Sequence, residues 1–140
     1  MFNDCRKFNK DIGNWNVSNV TNMSEMFIYC YKFNQYIGNW NLTNVKNTGN
    51  MFHECHNFNQ DIGNWNTSSV TNMEKMFSGC KKFNQDISKW DVSNTINISI
   101  IFHKTWILPD VYFKYWDIGN SVKSIRQLYN YSKYNYDFIV

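Results

Sequence analysis

The chain has 140 residues, of which 14 are basic and 11 acidic, so its net charge is only +3. The charged residues are spread along the sequence, without the Lys/Arg block that is typical of nucleic-acid-binding proteins. No apolar run approaches the roughly 20 residues of a membrane-spanning helix, and the first residues lack the apolar segment of a signal peptide. With 43% hydrophobic and 19% aromatic residues, the composition predicts one domain with a substantial core.

A repeat of 25 residues runs from residue 1 to residue 102, and Met-Phe marks the start of the first four copies. Four other residue types recur in the same register. They are Cys5, Cys30, Cys55 and Cys80; Phe8, Phe33, Phe58 and Phe83; Ile12, Ile37, Ile62 and Ile87; and Trp15, Trp40, Trp65 and Trp90. A fixed period of roughly 20–50 residues is typical of solenoids, propellers and repeat arrays, and this one is short for a propeller blade. The period therefore predicts one solenoid coil per repeat.

Within a coil, the sequence predicts short extended segments near Ile12 and over residues 15–17, followed by a helix. The helix is indicated by Met23, Met26, Phe27, Cys30 and Phe33, whose spacing is that of one helical face. Asn22 is predicted to cap its N-terminus. The fold class predicted from the sequence is an α/β solenoid, right-handed and leucine-rich-repeat-like. It has about four 25-residue repeats of short parallel strands and short helices, and a C-terminal capping segment.

The register breaks after Phe102, which divides the chain into a repeat solenoid (1–102) and a degenerate last coil with a C-terminal cap (103–140). Residues 113–120 resemble the Phe-to-Asn part of a repeat with one extra residue, and we interpret them as a displaced final strand. Residues 121–131 have apolar side chains at helical spacing, which predicts a capping helix.

The aromatic and cysteine rows are predicted to form structural ladders inside the solenoid. The ladder residues are Phe27, Phe52 and Phe77; Cys30, Cys55 and Cys80; and Trp15, Trp40, Trp65 and Trp90. Stacked cysteines are close enough for disulfides, but identical side chains in a row point in parallel, so we expect four buried free thiols. A glycine row, represented by Gly13 and Gly38, predicts a corner with positive φ.

Three patterns suggest chemistry, and each has a simpler interpretation. The histidines of His53-Glu54-Cys55-His56 are three residues apart, whereas a zinc-protease motif needs four, so surface residues are the better interpretation. The Asp row is interpreted as structural or solvated, and the Trp row as core or a half-buried ridge in preference to a sugar-stacking platform. The sequence thus predicts a protein that is not an enzyme, with no catalytic residue, metal site or cofactor.

The repeat, of the form MF..C..FNQDIGNWNVSNVTNM, resembles the BspA-like leucine-rich-repeat surface proteins, in the branch that includes mycoplasma lipoproteins. The resemblance covers residues 1–102. It implies a leucine-rich-repeat-like solenoid located at the cell surface or secreted, with a role in adhesion and protein binding. The family has no catalytic motif.

The outward positions of the predicted helix differ between repeats, which suits a unique partner. We predict binding residues at Tyr31 and His56, with Tyr36 on the strand side, because tyrosine is a favoured interface anchor. The expected function is a non-catalytic protein-interaction or adhesion module with a protein or glycan partner. The expectations also include end-to-end self-association through an uncapped coil. The alternative is a structural spacer or degenerate repeat fragment with no ligand of its own.

Overall fold

The computed structural model describes residues 1–105, 115 and 116, and these residues contain no helix and no extended strand. Their only β-pairing is a ladder of isolated parallel bridges that joins Asn22, Asn47, Asn72 and Asn97. The remaining backbone is turn, bend or irregular. The α/β solenoid of short strands and helices predicted from the sequence is therefore wrong. No helix capable of crossing a membrane is found in the described part of the chain.

Consecutive tight turns take the place of the predicted helix. The N–H groups of Met26, Ile28 and Cys30 each donate to the carbonyl three residues earlier. The N–H groups between them, those of Phe27 and Tyr29, instead donate to the following repeat. Beyond the first turn of a helix, successive N–H groups all bond within the segment, so this alternation excludes one. Because successive turns also return side chains to one face every three or four residues, they satisfy the same apolar pattern.

Residues in the left-handed conformation produce this alternation of hydrogen bonds. Glu25 (φ 57°) and Tyr29 (φ 60°) have positive φ, and their N–H groups donate to the carbonyls of Gly49 and His53 in the next repeat. The same two positions are left-handed in other repeats. These residues are Asp4, Glu54, Gly79 and Lys104 in one row, and Asn50, Lys75 and Ile100 in the other. A left-handed residue every few positions turns alternate N–H groups out of the local turn and towards the neighbouring repeat.

Turns also take the place of the predicted strands and of the predicted helix cap. Residues 12–15 and 17–20 each close a turn through a backbone hydrogen bond, of 3.1 and 2.9 Å. Asn22 does not cap a helix, because its side-chain oxygen accepts the N–H of Ser24 two residues on, 2.9 Å away. This is the local side-chain-to-backbone turn that Asn and Asp favour.

The prediction of positive φ at the glycine corner is also wrong. Neither Gly13 nor Gly38 has positive φ, since the only such glycine among the described residues is Gly79. A Cβ added to Gly38 would instead collide with the Asp61 carbonyl of the next repeat. Glycine is needed in this row for the close approach of neighbouring repeats.

The repeats lie one on the next, and we call this arrangement the repeat stack (repeats 1–4: residues 1–25, 26–50, 51–75 and 76–100). Backbone bonds join neighbours at a constant offset, as in Phe27 N–H to the Met51 carbonyl (2.9 Å) and Phe52 N–H to the Met76 carbonyl (3.0 Å). Amide side chains add to them: the Asn59 N–H donates to the side-chain oxygen of Asn34, 2.9 Å away. Each repeat is thus hydrogen-bonded to the next along its length.

The core of the repeat stack is a double column of phenylalanine rings. Phe27 and Phe33 of one repeat lie 4.1 Å apart between ring centroids, and Phe27 and Phe52 of successive repeats lie 5.6 Å apart, in both cases nearly parallel. All three rings are fully buried. Trp40 packs beside Phe27 and donates its indole N–H to the carbonyl of Ile12 in the preceding repeat, 3.2 Å away.

Trp116 occupies the fifth tryptophan position. Its indole N–H donates to the Ile87 carbonyl at 3.0 Å, and its ring packs on Phe102 at 6.2 Å, as the earlier tryptophans do in their repeats. It lies one residue later than the 25-residue register, which agrees with one inserted residue. The predicted final strand lies almost entirely, and the capping helix wholly, outside the described residues.

The cysteine row runs along the same core. All four cysteines are free, but only three are buried, since Cys5 is exposed. The expectation of four buried thiols is therefore wrong for Cys5. Cys30, Cys55 and Cys80 each donate to a carbonyl of the preceding repeat, as Cys55 does to Phe27 at 2.9 Å. Burial raises the pKa of Cys30 to about 11, and burial also raises the pKa of Cys55 and Cys80.

Thiol labelling tests this arrangement. With a thiol reagent at pH 8, we expect one fast-reacting thiol, Cys5, in native protein and four in denaturant. A pKa near 11 leaves only about one thiol in a thousand ionised at pH 8, and the thiolate is the reactive form. The variant Cys5→Ser should remove the fast phase. Fast native labelling of two or more thiols would contradict the burial of Cys30, Cys55 and Cys80.

A second prediction concerns the left-handed conformation of Glu25. Glu25 is exposed and has φ 57°, a conformation that costs an ordinary residue about 1–2 kcal/mol. Glu25→Gly should relieve this cost, less the roughly 0.5–1 kcal/mol that glycine loses in chain entropy, and so raise the free energy of unfolding by up to about 1 kcal/mol. Ser24→Gly, one residue earlier and without positive φ, should lower it. Urea unfolding measures both variants, and equal losses of stability would show that residue 25 is not left-handed.

Candidate functional site

The turns of residues 27–33 decide which side chains face outwards. Phe27, Ile28 and Cys30 are buried, whereas Tyr29 is 37% exposed and Tyr31 is half-buried. The corresponding positions of repeats 1 and 3 lie beside these tyrosines because neighbouring repeats are bonded at a constant offset. We call this surface the outer band, and it consists of Asp4, Arg6, Tyr29, Tyr31, Glu54 and His56.

One edge of the outer band is a row of stacked planar groups. The Tyr31 ring lies parallel to the His56 imidazole, with centroids 4.7 Å apart and planes 7° apart. The Arg6 guanidinium lies over the Tyr31 ring at 5.6 Å from its centroid, within reach of a cation–π interaction. Tyr31 is therefore held between a cation and an imidazole from the two neighbouring repeats.

An ion pair and a side-chain hydrogen bond hold the two ends of this row. Arg6 Nε donates to Asp4 Oδ1 at 2.9 Å, and His56 Nε2 lies 2.8 Å from Glu54 Oε2. The hydrogen bond to Asp4 raises the pKa of Arg6, with a further contribution from the charge of Asp4. In both pairs the acid precedes the base by two residues, so repeats 1 and 3 present the same arrangement on either side of the tyrosines.

A shallow cavity of about 240 Å³ lies at the repeat 1 end of the outer band. Its lining consists of Asn3, Asp4, Arg6, Tyr29 and Tyr31. Two aromatic rings thus meet an amide, a carboxylate and a guanidinium. This combination provides an apolar wall together with hydrogen-bond donors and acceptors.

The predicted binding residues fall into two places. Tyr31 and His56 are in direct contact in the outer band. Tyr36 is 54% exposed, and its ring lies beside Gly38 at a different corner of the repeat. The sequence interpretation missed Tyr29 as part of the site, although its position two residues before Tyr31 parallels the acid–base spacing in the adjacent repeats.

The predicted ladder residues lie in the core with one exception. Phe27, Phe52, Phe77, Cys30, Cys55 and Cys80 are fully buried, and Trp40, Trp65 and Trp90 are nearly so. Trp15, which lies in repeat 1, is 41% exposed.

The His53-Glu54-Cys55-His56 motif does not converge on a point. His56 lies against Glu54, His53 Nδ1 lies 3.0 Å from the Ser78 carbonyl, and Cys55 Sγ points into the core towards Phe27. No group of three or more His, Cys, Asp or Glu side chains that could hold a metal ion occurs within residues 1–105, 115 and 116.

The family comparison matches nearly the whole chain. The family described as "Mycoplasma protein of unknown function, DUF285" matches residues 1–116 and, in a second alignment, residues 34–139. No curated protein and no solved structure shows a significant match. The two overlapping alignments are what a repeated sequence produces. Since the matches extend over far more than half of its length, the chain belongs to the DUF285 family of Mycoplasma repeat proteins.

Proposed function

We propose that this protein is a non-catalytic interaction or adhesion module, similar in role to the BspA-like repeat surface proteins that its repeat resembles. The observation that supports this most is the row in which Tyr31 is held between Arg6 and His56. All three side chains are at least partly exposed, so the row forms a surface and not a part of the core.

The outer band is suited to binding because its side chains are already ordered. Much of the cost of association lies in immobilising long side chains. The ion pair with Asp4 restrains Arg6 in advance, and the contact with Glu54 restrains His56. Tyr and Arg are also among the residues that contribute most to protein interfaces. The band differs from repeat to repeat, whereas the core rows are nearly constant, which favours recognition of a particular partner.

A location at the cell surface or in the secreted fraction is part of this proposal. Its support is the resemblance of the repeat to BspA-like surface proteins, together with membership of a Mycoplasma repeat family. Adhesion requires an exposed position on the cell, so the proposed function depends on the proposed location.

A paired-variant experiment tests the contact surface. A partner isolated with the immobilised chain is titrated against wild-type protein, the double variant Tyr31→Ala/His56→Ala, and the control Ile96→Ala, which truncates an exposed side chain outside the outer band. We expect the double variant to bind about tenfold more weakly or worse, because truncation of anchor side chains commonly costs more than 1 kcal/mol. Ile96→Ala should bind within about twofold of wild type. Loss of binding in the control alone would show that the outer band is not the contact surface.

The alternative is a structural spacer without a ligand of its own, which would join other repeats through an apolar face of repeat 1. Trp15 is 41% exposed there, whereas Trp40 is 4% exposed, and Cys5 is exposed where Cys30 is buried. A cavity of about 300 Å³ lies beside Trp15, and its lining is mainly apolar, with Val20 and Met26 among its residues. This face suits end-to-end association of two copies.

Light scattering over a range of protein concentrations tests the association. If the repeat 1 face joins copies, the mass should rise with concentration, and Trp15→Ser should return it to that of one chain. Tyr36→Ala, also an exposed aromatic, should leave the association unchanged. A constant monomer mass at all concentrations would contradict end-to-end association while leaving the interaction module untouched.

A further inference from the structure

We propose that the cavity at the repeat 1 end of the outer band binds a neutral sugar ring, so that the ligand of the adhesion module is a glycan. This inference rests on the proposed function and specifies the class of its ligand. It comes from the combination of side chains around the cavity: Asn3, Asp4, Arg6, Tyr29 and Tyr31.

The size of the cavity favours a single small ring. Pockets for drug-sized molecules occupy about 300–1,000 Å³, and this one is about 240 Å³. The side chains of Asp4 and Arg6 are each more than half exposed, so the cavity opens to solvent. One sugar unit can therefore enter while the rest of an oligosaccharide remains outside.

The charges around the cavity favour a neutral ligand. Asp4 and Arg6 form an ion pair of 2.9 Å, and together they contribute no net charge. An anion would compete with Asp4 for the guanidinium, and a cation would compete with Arg6 for the carboxylate. A hydroxyl group has no such competition, because it can both donate and accept a hydrogen bond.

Hydrogen-bonding capacity remains after the ion pair has formed. The pair uses Arg6 Nε and Asp4 Oδ1, which leaves the guanidinium NH₂ groups and Asp4 Oδ2 for a ligand. The Asn3 side chain adds one acceptor and two donors. Adjacent hydroxyls of a sugar ring match closely spaced donors and acceptors of this kind.

The two tyrosines supply the apolar wall. Tyr31 is stacked on His56, whereas the ring of Tyr29 contacts His53 in an edge-on arrangement, with planes 60° apart. Tyr29 is 37% exposed. The C–H groups on one face of a sugar ring pack well on an aromatic face, so Tyr29 is the residue that we assign to this contact.

The backbone holds these groups in place before a ligand arrives. Asp4 and Tyr29 are both left-handed, and their N–H groups donate to the carbonyls of Ile28 and His53 at 2.9 and 2.8 Å. The distance between the carboxylate and the tyrosine is therefore set by the spacing of repeats. Repeat 4 has Gly79 and Lys81 at the positions that Tyr29 and Tyr31 occupy in repeat 2. Repeats 3 and 4 therefore do not form the same site.

Saturation-transfer NMR with the methyl glycosides of glucose, galactose, mannose and N-acetylglucosamine tests the proposal. We expect transfer to the ring protons of at least one glycoside. Tyr29→Ala should weaken binding about tenfold, and Tyr29→Phe should retain it because the ring remains. Asp4→Asn, which suits the left-handed position, should weaken binding through loss of the carboxylate without loss of fold. Ile96→Ala, which truncates an exposed apolar side chain outside the outer band, is the control and should bind as wild type does.

Three results would overturn the proposal: no transfer to any of the four glycosides, equal transfer with Tyr29→Ala, or transfer only to the anionic probes glucose 6-phosphate and N-acetylneuraminate. Amide spectra of each variant verify that it is folded. If the glycosides fail while a protein partner is lost with Tyr31→Ala/His56→Ala, the interaction module stands and only its glycan ligand is excluded.

Discussion

The backbone hydrogen bonds between successive repeats are the constraint on which the rest of this structure depends. The described residues lack helices and sheets, so a repeat can satisfy only part of its N–H and C=O groups within itself. The Phe27 and Tyr29 N–H groups are satisfied only by the next repeat. Because a buried polar group without a partner costs roughly 1–3 kcal/mol, a single repeat has little stability alone. Its turns form together with those of its neighbours, as expected for a repeat protein.

The constant offset of these bonds explains the near-identity of the core rows. A side chain in one repeat meets its own copy in the next, so a core row must pack against itself. Flat phenylalanine rings do this by stacking, as Phe52 and Phe77 do at 5.7 Å between centroids. Amide side chains do it by bonding to the neighbouring backbone, as Asn59 does to Asn34. Outward positions have no such requirement, and they vary.

The outer band depends on the same offset. Arg6, Tyr31 and His56 are 25 residues apart in sequence and meet only because each repeat lies directly on the next. The core therefore places three different side chains in one row without a dedicated loop. Both the proposed interaction surface and the proposed sugar site use this placement, in which the repeat stack presents variable residues at a fixed spacing.

The sequence by itself determined the 25-residue period, the phenylalanine and isoleucine rows that fill the core, and the variable positions that include Tyr31 and His56. It did not distinguish a helix from a series of turns, because both return side chains to one face every three or four residues. Few of the left-handed positions could be foreseen, since Glu25 and Tyr29 are not typical of that conformation. Only the tertiary structure decided these points. Bonds to the next repeat stabilise left-handed turns that local propensity disfavours, and stacking of repeats brings distant residues such as Arg6 and Tyr31 into contact.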